Sequence, residues 1–113
     1  MKASQILTLI LLLSIWFGAG LVTIRTLPKL FEALYAKDRE LWITEGRPIA
    51  AFWEPPEGKS FGGSLAATIL AHKLLFTTPV WLSEIPSGDH LQRRLRFSLS
   101  LQYIAVILVL FTL

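Results

Sequence analysis

Apolar and polar positions in this chain are segregated into blocks. Ile6 to Ile24 reads ILTLILLLSIWFGAGLVTI, 19 residues without a charge, bounded by Lys2 and Arg25. At 1.5 Å per residue such a helix is about 28 Å long, close to the hydrocarbon thickness of a bilayer. Phe97 to Leu113, FSLSLQYIAVILVLFTL, adds 17 residues without a charge and predicts a second, shorter span of about 25 Å. Its pattern extends upstream through Leu91, Arg93, Arg94 and Arg96. The whole element is therefore expected to be helical from His90, with Asp89 as N-cap and Gln92 as its capping-box partner. A run ending at Leu113 needs that residue at the far interface, which implies little tilt.

Between the two runs the pattern becomes amphipathic. Thr26 can cap a helix carrying Pro28 in its first turn. Leu27, Leu30, Phe31, Leu34, Tyr35, Leu41 and Trp42 then recur at helical spacing, up to a stop at Gly46 and Pro48. Residues 49–60 carry Pro-Pro and Gly and predict a loop. Leu65 to Phe76, preceded by Gly62-Gly63 and capped by Ser64, predicts a short apolar helix, too short to cross and suited to a buried or interfacial place. Pro79 ends it, and Trp81 is expected at headgroup level. These elements predict an all-α membrane protein forming a single unit over residues 1–113. Transmembrane helices at 6–24 and 97–113 form an antiparallel hairpin around an amphipathic cytoplasmic segment at 25–96.

Composition supports that reading. The chain is 53% apolar and 17% charged, with a mean hydropathy of +0.56, against roughly 45–50% and 25% in soluble domains. A soluble domain this small buries only about 60% of its surface. Disorder is excluded, and a water-soluble enzyme is not expected. A cleaved signal peptide is the competing reading of the first run, with Gly18-Ala19-Gly20 as its cleavage site. The apolar stretch continues past that point through Leu21, Val22 and Ile24, which a signal peptide does not need.

Charge changes the picture further. Of eleven Lys and Arg, only Lys2 precedes the first span, none follows the second, and ten lie between. Arg25, Lys29, Lys37 and Arg39 follow the first span, and Arg93, Arg94 and Arg96 precede the second. Both spans predict a cytoplasmic middle and outside termini. Arg25, Lys29, Arg93, Arg94 and Arg96, with Trp81, are the expected membrane-interface residues, each cation contributing about 1 kcal/mol at anionic headgroups. The pI of about 9.6 is then a topology signal, and no nucleic-acid partner is expected.

Candidate chemistry is sparse. Without cysteine there is no disulfide, thiolate site or thiol nucleophile, and two histidines make no metal site. Gly58-Lys59-Ser60 resembles the tail of a phosphate loop, but Trp53 stands where that motif needs glycine. No cofactor and no enzymatic activity are expected. Any general base would have to come from Glu45, Glu54, Glu57 or His72. The polar residues inside the spans say more. Matched depth pairs Ile24 with Phe97, which sets Gly18 beside Gln102 or Tyr103. Ser14 and Gly18 form a small-xxx-small face, expected to pack on Ser98, Gln102 and Ala105, with Gln102 bonding across. The same faces could instead build a homo-oligomer.

Asp38, Glu40, Leu41 and Trp42, then Gly46, Pro48 and Phe52, then Asp89, Leu91, Arg94 and Arg96 follow in an order that resembles a known group. It is that of the small bacterial two-span inner-membrane proteins of the universal-stress-protein-B type. The chain departs from their pattern at Glu54–Gly63 and at Thr77–Trp81. The resemblance implies a bacterial inner-membrane location and an association with stress, and no known activity. The expected role is a membrane-surface adaptor or docking element. The alternative is an accessory subunit of a transporter or a holin-like pore former. Partners would be the anionic bilayer and a larger membrane protein or a second copy.

Overall fold

The structure is a computed structural model and describes residues 2–50, 52–56, 58 and 62–113. Its elements are all helical: α1 (Ala3–Lys37), α2 (Arg39–Thr44), α3 (Gly63–Phe76), α4 (Val80–Glu84) and α5 (Gly88–Thr112). One isolated bridge joins Ala50 and Trp53. Thirty-five residues of α1 make a rod of about 52 Å, and the molecule is 54 Å along its longest axis. α5 lies antiparallel along α1. Gln5 Nε2 donates to the Thr112 carbonyl at 3.3 Å near one end, and the Thr23 and Ser98 hydroxyls meet at 2.8 Å farther along.

Burial divides the molecule into two ends. Up to Val22, α1 buries only Leu12 and Ala19, and beyond Leu99, α5 buries only Ala105. From Thr23 onward α1 buries Leu30, Phe31 and Leu34 completely. These meet Trp42 of α2, Ala67, Leu70, Ala71 and Leu74 of α3, Trp81, Leu82 and Ile85 around α4, and Leu91, Leu95 and Leu99 of α5. A compact helical head thus stands on a bare two-helix stalk. The stalk exposes Leu7, Leu11, Phe17, Ile107, Leu110 and Phe111 among many others. Both α1 and α5 are long and apolar enough to cross a membrane, and their most apolar windows are only 17% and 22% buried. A core helix of a soluble protein would have most of that surface covered.

Several local expectations are corrected. Thr26 does not cap a new helix. α1 runs unbroken through it and through Pro28, and the Thr26 hydroxyl turns back to the Val22 carbonyl at 2.6 Å. An interior proline costs about 3 kcal/mol. Here it is buried beside Leu30, Phe31 and Leu34, whose packing into the head keeps the helix in one direction. The amphipathic stretch breaks instead at Asp38, which is extended and caps α2 by accepting from the Leu41 amide at 3.1 Å. α3 starts at Gly63 from a left-handed Gly62, so Ser64 lies in its first turn and not at its cap.

Residues 80–84, unassigned by the periodicity, form the short helix α4. Asp89 does not cap α5: the N-cap is Ser87, and Asp89 lies in the first turn, where its charge complements the helix dipole. Gln92 is likewise no capping-box partner. It faces inward and donates to the carbonyls of Leu74 and Thr77 at the end of α3.

Candidate functional site

Four groups of side chains carry the polar chemistry of this apolar chain. The first ties α1 to α5. Thr23 Oγ1 is shared between the Ser98 hydroxyl at 2.8 Å and Gln102 Oε1 at 3.2 Å, and also reaches the Ala19 carbonyl at 3.1 Å. Gly20 lies under the Gln102 amide, where an added Cβ would stand 3.1 Å from Nε2. Ser98 and Ala105 are buried along the same side of α5.

Ser14 and Gly18 are not part of this contact. Ser14 is exposed and bonds its own helix at the Ile10 carbonyl, and Gly18 has nothing within 4 Å of where a Cβ would be. At 100° per residue they lie well around α1 from Leu12 and Ala19, which do face inward. Thr23 and Gly20 replace them, and the hydroxyl of Thr23 at the matched depth of Ser98 was the signal for it. The chain has no native cysteine, so the apposition is directly testable. Thr23→Cys with Ser98→Cys is expected to form an intramolecular disulfide under mild oxidation, seen as a mobility shift reversed by reductant. Gly18→Cys with Ser98→Cys is expected to form none.

A second group collars the C-terminus of α3. Gln92, buried, donates to Leu74, Thr77 and the Thr78 hydroxyl, and Arg96 adds bonds from Nε to Leu74 at 3.1 Å and from Nη2 to Thr77 at 3.3 Å. The last carbonyls of a helix lack intrahelical donors, and a cation there also meets the negative end of the dipole. Arg96 is therefore engaged inside the protein and is not a free headgroup ligand. Arg25, Lys29 and Arg93 are exposed, and Arg94 is half-buried. Lys29 and Arg94 line a groove of about 490 Å³ between α1 and the start of α5, together with Glu32 and His90. Trp81 is not at an interface either. It is 7% exposed in the core, and its Nε1 is the one buried side-chain polar atom without a hydrogen-bond partner among the described residues.

In the third group, Asp38, Trp42, Gly46 and Pro48 form one unit. Trp42 is fully buried and donates from Nε1 to the Pro48 carbonyl at 3.0 Å. The Gly46 amide reaches Ile43 and the Arg47 amide reaches Trp42, which closes α2 in a Schellman turn with Gly46 at φ 93°. A Cβ on Gly46 would come within 2.8 Å of Ala66, so the turn also fits the close approach of α3. Tyr35 and Trp53 pack edge-on against Trp42, and the Arg39 guanidinium covers the Tyr35 ring at 4.6 Å. Leu41 is half-buried against this core, and Glu40 is exposed in the first turn of α2.

The fourth group joins α3 to α5. His72 Nδ1 lies 2.7 Å from the Thr68 carbonyl, an acceptor only, so a neutral ring donates there and accepts at Nε2 from the Tyr103 hydroxyl. Of the candidate bases, Glu45 is paired with Lys73 at 3.2 Å, and His72 has both nitrogens engaged. Glu54 is exposed on a groove of about 600 Å³ that Ile24, Leu27, Phe52 and Trp53 also line. Glu57, Lys59 and Ser60 lie outside the described residues. No group of three or more His, Asp or Glu side chains suited to a metal occurs among the described residues. The arrangement can hold helices in register and present surfaces. Comparison of the chain with protein families, with curated proteins and with solved structures finds no match.

Proposed function

We propose that this chain is a small two-span protein of the bacterial inner membrane whose helical head acts as a cytoplasmic adaptor or docking element at the membrane surface. The single observation that carries the reading is the abrupt change in burial along α1 and α5. One helix pair supplies a close-packed head at one end and an almost bare apolar stalk at the other. Water would penalise that much uncovered apolar area, and a bilayer removes the penalty. Several of the stalk's hydroxyl groups are satisfied within the hairpin or within their own helix, as hydrocarbon favours: Thr23 with Ser98 and Gln102, Ser14 and Thr8 with carbonyls one turn back. No charge lies between Ile6 and Ile24 or between Phe97 and Leu113, which argues against an ion or proton path.

Orientation follows from the cations. Ten of eleven lie between the two apolar runs, so the head is cytoplasmic and both termini are outside. The universal-stress-protein-B-like order of residues adds an association with stress. Terminal epitope tags are expected to be accessible on intact spheroplasts, while a label in the head is not. Reversing Arg25, Arg93 and Arg94 to glutamate, with Arg96 left in place to hold α3, is expected to weaken or invert that pattern. Unchanged tag accessibility would overturn the orientation. Purification in mild detergent then separates the adaptor, which should carry a defined partner at stable stoichiometry, from the accessory-subunit and pore-forming readings. The first of those predicts a transporter in the complex, the second a rise in permeability on overexpression.

A further inference from the structure

α3 carries apolar residues on two opposite sides, and only one of them is covered. Ala67, Leu70, Ala71 and Leu74 face the core, while Leu65, Ile69 and Phe76 are 65%, 60% and 80% exposed. With His72, these three fall within about 60° of one another around the helix, a continuous outward stripe. A grouped exposed apolar surface marks an interaction site.

The position of the stripe identifies what covers it. The C-terminal end of α3 is tied to Gln92 and Arg96, just before the apolar run of α5 begins at Phe97. At its other end Ser64 shares a groove wall with Ile24 and Leu27, where the apolar run of α1 ends. The Thr23–Ser98 bond puts these two levels of α1 and α5 at the same depth. Both ends of α3 thus lie at the boundary between stalk and head, and the helix crosses the hairpin instead of running along it. His72 is in the stripe and is hydrogen-bonded to Tyr103, which lies seven residues beyond Arg96 toward the stalk's apolar end. The stripe therefore faces the stalk side, continuous with the stalk's own bare apolar surface.

We propose that α3 is an in-plane interfacial helix whose Leu65, Ile69 and Phe76 insert among the acyl chains of the leaflet bordering the head, with His72–Tyr103 holding it against α5. This rests on the spanning reading of α1 and α5 and adds to it a third lipid contact that does not cross. The occupant is lipid and not a second protein because the stripe is coplanar with the boundary where the proposed spans enter the bilayer. The three apolar side chains enter the chain-bearing region, and the cations Lys73 and Arg25 remain near headgroup level.

Because the chain lacks cysteine, single spin labels report each position cleanly. Leu65→Cys, Ile69→Cys and Phe76→Cys would be reconstituted in vesicles of phosphatidylethanolamine and phosphatidylglycerol. Ser83→Cys, on an exposed face of α4, serves as the aqueous reference, and Ile107→Cys, on the exposed stalk, as the deep one. Collision rates with oxygen and with a neutral nickel chelate are compared. The expected oxygen-to-nickel ratio at the three stripe positions is several-fold above that at Ser83 and below that at Ile107. Ratios equal to Ser83 while Ile107 stays lipid-like would overturn the α3 proposal and leave the spans standing. An aqueous ratio at Ile107 would overturn the spanning reading and this proposal with it. Protection of the stripe from both probes would show a protein partner on it and overturn the lipid assignment.

Discussion

Trp42→Ala is expected to melt the head while leaving the stalk helical. Trp42 is the largest fully buried side chain in the protein and lies where α1, α2 and the loop before α3 converge. Truncating a buried tryptophan typically costs about 3–5 kcal/mol in lost burial and cavity formation. Two further losses are specific to this site. The Pro48 carbonyl would lose the Nε1 donor that it meets at 3.0 Å, and a buried unsatisfied carbonyl costs about 1–3 kcal/mol. Tyr35 and Trp53, with ring centres 4.9 and 6.2 Å from Trp42, would lose their edge-on partner.

Trp42→Phe separates these contributions. It keeps most of the packing, leaves Pro48 unsatisfied, and should cost about 1–2 kcal/mol. On the proposed spanning reading, lipid or detergent holds α1 and α5 helical independently of the head, and unfolding need not be two-state. The measurement is therefore near-UV circular dichroism followed through a thermal or denaturant transition. Near-UV signal should be lost early in Trp42→Ala, with far-UV helicity largely retained. Coincident transitions in the variant and the parent would show that the head is not built around this residue.

The reach of sequence reasoning differs along the molecule for identifiable reasons. The helical character of the terminal runs and of residues 65–76 is legible because each is a long, mostly apolar stretch free of Pro and bounded by charges, Gly or Pro. The stop at Gly46 is legible because left-handed backbone and proline are written in residue type. The inner face of α1 is less legible. Small residues four apart point to Ser14 and Gly18, but the seam follows a seven-residue period: Gln5, Leu12, Ala19 and Thr26 on α1 face Leu91, Ser98, Ala105 and Thr112 on α5. That period, the mark of two helices winding left-handed about each other, is present in the sequence. It is obscured because Leu, Ile and Val also occupy the exposed positions, so hydropathy alone does not distinguish inside from outside.

Polar residues mislead for a different reason. Asp89, Gln92, Ser64 and Thr26 all have the residue type of a local cap or capping partner, but Gln92 and Arg96 are directed by tertiary contacts with the end of α3, 15 to 22 residues earlier in the chain. Trp81 follows the same logic. A lone tryptophan beside a predicted interface satisfies the headgroup rule, yet α4 turns it into the core with Leu82 and Ile85. Such long-range pairings have no local signature, and they define the level at which the head meets the stalk.

Gly88→Ala is expected to have the other large effect, through steric exclusion and not loss of packing volume. Gly88 is the first residue of α5, and its Cβ would stand 1.9 Å from the Leu82 carbonyl oxygen and 3.0 Å from Ile85 Cγ1. The nearer atom is backbone, so no side-chain rotation relieves the contact. α4 and the start of α5 would have to separate by more than an ångström, which would draw Leu82 and Ile85, both buried, away from the core. Overpacking a closed site costs about 1–3 kcal/mol, and more when backbone must move. A loss of about 3 kcal/mol or more is expected, read as an early near-UV transition. Its neighbour supplies a control of opposite sign. Ser87 holds φ at 59°, left-handed backbone that a serine adopts at a cost of about 1 kcal/mol. Ser87→Gly removes that strain, offset in part by the greater freedom of glycine in the unfolded chain, and is expected to be neutral or slightly stabilising. A methyl group at 88 that destabilises, beside a side-chain deletion at 87 that does not, would place the α4–α5 joint as described. Wild-type melting of Gly88→Ala would show that the two helices do not meet there.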